Sequence, residues 1–230
     1  MTTDKISPEV IEALKEFDSP TIMNAIEKFA VRHRIKGYAG LDLKCLFPQY
    51  PPMVGYAVTA ISDTTCPDPV KPDGFDELLD RIAEAPKPCV YVVQNVGHDR
   101  SRSCFGGDMT ATALQYLGAV GFVADGGIRD CRGIGENAPG FQVFSSGLVV
   151  SHGQGAILDF NVTVNVCGLT IEPGDLLHGD ENGLLTVPRE IAAELPEKAQ
   201  EVCALEKPLF EALKKPGMSV DEIKKVLNVH

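Results

Sequence analysis

Residues 89–94 read Cys-Val-Tyr-Val-Val-Gln, residues 106–118 read Gly-Gly-Asp-Met-Thr-Ala-Thr-Ala-Leu-Gln-Tyr-Leu-Gly, and residues 119–130 read Ala-Val-Gly-Phe-Val-Ala-Asp-Gly-Gly-Ile-Arg-Asp. The first block is a continuous apolar run, as expected of a central strand buried on both faces. The second opens on glycine, carries a helical stretch over 107–117 and stops at Gly118, a good residue just past a helix end. The third returns as a strand over 119–124. A helical crossover makes the two strands parallel and is nearly always right-handed. The helix start and both strand ends then share one rim, where open α/β sheets bind ligands. Free backbone N–H groups at Gly107, Asp108, Met109 and Thr110 therefore meet the side chains of Arg129 and Asp130.

The elements around this unit are read the same way. Apolar Val10, Ile11, Leu14 and Phe17 predict a helix over 8–16. Ser19 as N-cap and Pro20 at the first helical position predict a second helix to about Ala30. Residues 53–61 read as a strand, 64–73 as a proline-rich loop and 75–85 as an amphipathic helix. Further strands are expected at 141–145 and 157–166, with a turn at 180–183 joining strands at 176–177 and 184–187. From Arg189 the chain reads as helical, with a kink or restart at Pro196. Ser219 and Glu222 form a capping box for a last helix. The order is a βαβ core, then strands, then helices, which favours a layered α/β sandwich over a doubly wound sheet. One domain over 1–230 is expected, with N-terminal helices in 1–35, the α/β core in 53–188 and C-terminal helices in 189–230.

With 230 residues and 44% hydrophobic content the chain can bury a substantial core. Its formal net charge of -11 opposes non-specific nucleic-acid binding. Seven cysteines, an odd number without a C-x-x-C pair, signal neither a disulfide framework nor a zinc ribbon. No signal peptide or membrane-length apolar run is visible, and the expected compartment is the cytoplasm.

The rim has readable chemistry. Helix N–H groups bind a carboxylate. Arg129 can hold a carboxylate or keto oxygen and stabilise charge developing there. Asp130 is an oxygen ligand suited to Mg²⁺ or Mn²⁺. Asp108, in the first helical turn, can orient or deprotonate a water. The bland alternative is a structural Arg-Asp pair under a tight Gly-Gly turn. His152, in Ser151-His152-Gly153, has the outline of a phosphohistidine loop but reads better as a structural or substrate-edge histidine. Asp175 and Asp180 read as turn residues, and Cys104 and Cys131 as packing bystanders.

The stretch Gly107–Gln115, with Gly118 and Gly121–Asp130, resembles the 4-hydroxy-4-methyl-2-oxoglutarate aldolase family, which also contains the regulator of ribonuclease activity A (the RraA-like proteins). Gly55–Thr59, Ile171–Asp175, Asp180 and Gly183 extend the likeness across roughly residues 18–210. The resemblance implies a β/β/α swivelling-domain-type sandwich, assembled as homotrimers or hexamers. It implies a class II pyruvate aldolase, a carbon–carbon lyase that also decarboxylates oxaloacetate, using Mg²⁺, Mn²⁺ or another divalent metal. Under it, Asp130 holds the metal, Arg129 binds substrate and stabilises the enolate, and the amides of 107–110 hold the pyruvoyl carboxylate. Asp108 helps activate a water, joined by a glutamate from a neighbouring subunit, best matched by Glu206. The partner is a small 2-oxo acid, with no nucleic acid and no membrane. Asn24 stands where many members carry Asp. The charged loop His98-Asp99-Arg100-Ser101-Arg102 is also unusual, and is expected to touch the distal end of the substrate. A non-catalytic regulator of the ribonuclease-inhibitor kind is the alternative; such members usually lack the Asp of the Arg-Asp pair, which this chain keeps.

Overall fold

The apolar run at 89–94 forms the middle of a sheet in the computed structural model, which describes residues 6–68 and 70–227. The first half runs α1 (Pro8–Leu14), α2 (Ser19–Lys28), β1 (Lys44–Cys45), β2 (Met53–Asp63), α3 (Phe75–Glu84), β3 (Cys89–Asn95), α4 (Asp108–Tyr116) and β4 (Ala119–Ile128). The second runs α5 (Cys131–Asn137), β5 (Gln142–Leu148), β6 (Ala156–Phe160), β7 (Val164–Val166), β8 (Leu169–Ile171), β9 (Leu176–Asp180), β10 (Gly183–Val187), α6 (Leu195–Leu213) and α7 (Val220–Leu227).

β2, β3, β4 and β5 are parallel neighbours, and the helices between them cover one face. Leu78 and Ile82 of α3, Ala111 and Leu114 of α4 and Ile134 of α5 pack there on Tyr91, Val93, Phe122 and Ala124. The alternate residues Val90, Val92 and Val123 point the other way, onto the β7–β8 hairpin and Leu177 and Leu184. This alternation yields helix, sheet and second β layer, the β/β/α arrangement.

The sheet nearly closes. Its order is β1-β5-β4-β3-β2-β9-β10, and the segment before β1 reaches the opposite edge. Tyr38 bridges Leu185 of β10, the Ala39 N–H donates to the Leu184 carbonyl (2.9 Å), and Lys44–Cys45 then pair with β5. One short stretch therefore covers both edges that would otherwise be left unpaired. A third cluster seats α1, α2 and α6 on Val54, Tyr56, Leu176, Leu185 and Val187. Among the described residues no helix is long and apolar enough to cross a membrane.

Several expectations are corrected. Asp18, not Ser19, caps α2, its carboxylate accepting from the Thr21 N–H (2.9 Å). Ser19 is buried, and it points into the core because two groups there need it. Its N–H donates to Asp180 Oδ2 (2.6 Å) and its Oγ lies 3.0 Å from His178 Nδ1. The expected strand 157–166 is two strands, broken where Asn161 takes a positive φ of 53°. β4 runs on to Ile128 through an irregularity between Ala124 and Gly127. The restart expected at Pro196 is found: a short turn at Arg189–Ile191 ends, and α6 begins at Leu195 with Pro196 in its first turn, where its missing N–H costs nothing, while Pro208 lies inside that helix without ending it. The capping box at Ser219 and Glu222 forms as expected.

His178 is fully buried on β9, between Ser19 and the carbonyls of Leu14 and Phe17, both 3.1 Å from Nε2. Two carbonyl acceptors require the proton on Nε2, so Nδ1 accepts from Ser19. Burial is the larger influence and holds this imidazole below its ordinary value, against the opposing pull of the carbonyls and of Asp180 and Asp18. A depressed value means that the unfolded chain takes up the proton first. The stability His178 contributes is therefore complete above about pH 6.5 and declines as pH falls below it. Melting curves between about pH 7.5 and about pH 5.5 are expected to show a falling Tm, and a flatter profile for His178→Gln, which keeps a donor but cannot charge.

Candidate active site

The loop between β3 and α4 is laced to the end of β4. A short turn at Arg100–Arg102 is capped by Asp99, whose carboxylate accepts from the Ser101 N–H (3.1 Å) and Oγ (2.6 Å). Cys104 then bridges Gly127, the Phe105 N–H donates to the Gly127 carbonyl (3.0 Å) and the Arg129 N–H donates to the Gly106 carbonyl (3.1 Å). A side chain at Gly127 would lie 2.6 Å from the Ser103 carbonyl, so this lacing needs glycine there. The lacing delivers Gly106-Gly107 to the Arg129-Asp130 pair.

Gly107 is the N-cap of α4 and is extended, a conformation open to any residue. Its constraint is space. A Cβ at 107 would sit 2.5 Å from Asp130 Oδ2 and 3.2 Å from Arg129 Cγ. The two halves of the motif are thus in contact. Asp130 adopts φ 58°, ψ 34°, the left-handed region, where Asp is one of the few tolerated side chains. Its side chain makes no cap bond to α5 and turns instead to Arg129, with Oδ2 2.9 Å from Nε. Strain of this kind persists where surrounding structure over-determines it. Both side chains are over a third exposed, so an incoming ligand can reach them.

Asp108 lies on the same turn. Its Oδ2 would be 2.6 Å from a Cβ on Gly133 of α5, and its Oδ1 accepts from the Met109 N–H (2.8 Å). The carboxylate therefore sits between α4 and α5, against Gly133, three residues beyond Asp130. Burial pushes the nearby Cys104 thiol up, which keeps it protonated and inert.

The donor set suits a hard cation that keeps most of its waters. Among the described residues no three His, Cys, Asp or Glu side chains converge as a metal cage. One half-exposed carboxylate, Asp130, faces a space that a side chain at 107 would fill. Mg²⁺ commonly takes one or two carboxylates and completes its octahedron with water, so these residues fit it.

Gly107, Asp108, Arg129 and Asp130 come together, then, and Met109 and Thr110 share the same helical turn. Glu206 does not join them within one chain. It lies half-buried on α6, which packs on α1, α2 and α7. The charged loop divides. Arg100 turns inward: its Nε is 2.8 Å from Asp125 Oδ1, and one terminal nitrogen is 2.6 Å from Ser146 Oγ and 2.9 Å from Cys167 Sγ. The sequence reading missed Asp125, Ser146 and Cys167. A carboxylate closing an apolar strand was the available signal, because a buried acid needs a cation nearby. His98, Arg102 and His152 instead line an open cleft of about 840 Å³.

The sequence matches the family model described as RraA-like, Aldolase/RraA, over residues 19–186. An uncharacterised protein of Methanocaldococcus jannaschii is 30% identical over 139 residues, covering 60% of this chain and 64% of that one. A protein of Halalkalibacterium halodurans named "Putative 4-hydroxy-4-methyl-2-oxoglutarate aldolase" is 32% identical over 124 residues, covering 54% of this chain and 57% of that one. The matched stretches thus span less than two thirds of these relatives. Among solved structures, Streptomyces coelicolor RraAS2, described as an unusual member of the RNase ES inhibitor RraA protein family, superposes with a TM-score of 0.65 at 24% identity. That alignment covers 89% of this chain and 96% of the other, and is a likeness of fold.

Since extended backbone at 107 tolerates a side chain and only the half-exposed side chains of Asp130 and Arg129 oppose one, Gly107→Ala is expected to fold. Its Tm should stay within a few degrees of wild type, a loss of under about 1 kcal/mol. If this rim is a site for a 2-oxo acid and a divalent cation, pyruvate binding in the presence of Mg²⁺, followed by titration calorimetry, should weaken about tenfold or more, because the added methyl displaces the Arg129-Asp130 pair.

Proposed function

The chain belongs to the RraA-like family, and we propose that it is a divalent-metal-dependent class II aldolase, a carbon–carbon lyase. It cleaves a 4-hydroxy-2-oxo acid to pyruvate and a carbonyl product, and decarboxylates oxaloacetate as a companion activity. The observation that carries this reading is the contact of the Gly107 backbone with a half-exposed Arg129-Asp130 pair. A helix N-terminus, a guanidinium and a hard-metal carboxylate within one turn match the three needs of a 2-oxo acid: a carboxylate site, an oxyanion site and a cation site.

The substrate carboxylate lies on the first-turn N–H groups of Gly107, Asp108, Met109 and Thr110, which have no helical carbonyl of their own; the Met109 N–H exchanges its bond to Asp108 Oδ1 for the ligand. Arg129 donates to the keto oxygen. The C3–C4 bond breaks, its electron pair passes into the pyruvate enolate, and Arg129 stabilises the oxyanion that results. Asp108 holds a water that takes the proton from the C4 hydroxyl, so that C4 leaves as a carbonyl. The enolate then takes a proton at C3. When bound at Asp130, Mg²⁺ or Mn²⁺ supplies Lewis-acid polarisation of the keto oxygen. Oxaloacetate loses CO₂ to give the same enolate and needs no hydroxyl base. No lysine stands in the motif to form a Schiff base.

The same reading takes 1–230 as one domain that works in a homotrimer or hexamer. Met109 and Tyr116 on the outer face of α4 are 84% and 90% exposed, an apolar stripe beside the site that a second copy would cover. That copy would bring Glu206 to Asp108.

A lactate-dehydrogenase-coupled assay should detect pyruvate from oxaloacetate and from 4-hydroxy-2-oxo acids with Mg²⁺, and not with excess chelator. Arg129→Ala should lower kcat by about 10²–10³, the usual cost of losing an oxyanion donor. Full activity in chelator or in Asp130→Ala would contradict the metal assignment. No turnover by folded protein on any of these substrates would favour the regulator.

A further inference from the structure

A second cavity adjoins the site and has no role in the mechanism above. It measures about 410 Å³ and lies between α3 and α4 on the helix face of the sheet. Phe75, Leu78, Phe105 and Ile157 give it apolar walls, Tyr91 and Thr110 contribute to its lining, and Lys71, Asp73, His152 and Gln154 make its mouth polar. The volume falls in the lower part of the range of small-molecule sites, roughly 300–1,000 Å³.

Tyr91 is the unusual member. It lies on the central strand β3, is 2% exposed and stacks on Phe122 with ring centroids 5.0 Å apart. No described residue hydrogen-bonds its hydroxyl, which is not sealed in the core but opens on the cavity. Buried phenols almost always find a partner. A phenol that faces a largely apolar cavity with its hydrogen bond unused is suited to recognise something that enters.

The position of the cavity says what enters. Thr110 is two residues beyond Asp108 on α4, about 200° around the helix. Asp108 thus faces Gly133 of α5, while Thr110 faces the cavity beside α3. The same helix N-terminus lies between the two. An α-helix with side chains is about 10–12 Å across, so a ligand centred on its end is about 5–6 Å from either flank. That is roughly the reach from the carboxylate of a 2-oxo acid to a substituent on its C4. We infer that this cavity receives the C4 substituent of the substrate, and that the substituent is ring-sized, mainly apolar and carries one hydrogen-bonding atom for Tyr91. The inference rests on the aldolase reading. It makes the preferred carbonyl product an aromatic or similarly bulky aldehyde rather than a short oxo acid.

Pyruvate release by the wild type with Mg²⁺ should be at least about tenfold faster, as kcat/KM, from 4-hydroxy-4-(4-hydroxyphenyl)-2-oxobutanoate than from 4-hydroxy-4-methyl-2-oxoglutarate, the loss expected when an apolar pocket is left unfilled. Tyr91→Phe keeps the ring that packs on Phe122 and removes only the hydroxyl. It should abolish the advantage of the hydroxyphenyl substrate over its phenyl analogue, about three- to tenfold and carried in KM. Val70→Trp, at a loop position lining the cavity, should reverse the preference toward the short substrate. Oxaloacetate, which has no such substituent, is the control. If it is decarboxylated but the ring-bearing substrates are not preferred, or the two variants leave the ratios unchanged, the inference fails and the aldolase reading stands. If folded protein releases pyruvate from none of these compounds, the aldolase reading fails and the inference with it.

Discussion

The contact between the backbone at Gly107 and the carboxylate of Asp130 is the constraint on which the site depends. A single methyl group at 107 would stand 2.5 Å from Oδ2. That contact ties the start of α4 to the end of β4, two points more than twenty residues apart in sequence. It is produced by the fold rather than by local preference. Parallel β3 and β4 end on one rim because the crossover between them is a right-handed helix. The hydrogen bonds of Phe105 and Arg129 then bring the loop alongside β4. Asp130 accepts a left-handed backbone as the cost of turning its side chain toward Arg129 rather than into α5.

The rest of the molecule holds that rim still. Helices on one face and a second β layer on the other bury both sides of β3 and β4. The stretch 38–45 joins both sheet edges, so the rim belongs to a nearly closed barrel-like sheet and not to an open one. The polar interior is compensated locally. Asp125 has Arg100, and Asp180 has the N–H groups of Ser19 and Asn182.

The sequence made the βαβ unit and its rim legible because both rest on strong local signals. A continuous apolar run, a glycine before a helix and a glycine after it survive folding unchanged. The positions of Asp108, Arg129 and Asp130 at the helix start and strand end were legible for the same reason. The cap of α2 was misassigned because Asp18 and Ser19 are both good caps, and only the buried His178 and Asp180 decide between them. The strand at 157–166 was read as one because Asn161 is an inconspicuous break until its backbone is seen. Arg100 was expected with its loop at the distal end of the substrate and turns inward instead, which the sequence hides because its partners Asp125, Ser146 and Cys167 come from three distant places. Tyr91 was hidden most completely. Inside Cys-Val-Tyr-Val-Val it reads as one more core residue, and only the gap between α3 and α4 shows that its hydroxyl has no partner among the described residues. Glu206 stays an expectation across subunits, because no contact within the chain brings it to Asp108.

The central claim is that this rim stabilises the enolate of pyruvate, whatever the rest of the substrate is. Exchange of the pyruvate methyl hydrogens with D₂O, followed by proton NMR, reads that step alone. With Mg²⁺ present, the wild type should erase the methyl signal much faster than buffer does, and Arg129→Ala should leave it near the buffer rate. A methyl signal that decays no faster with folded wild-type protein than in buffer would contradict the account.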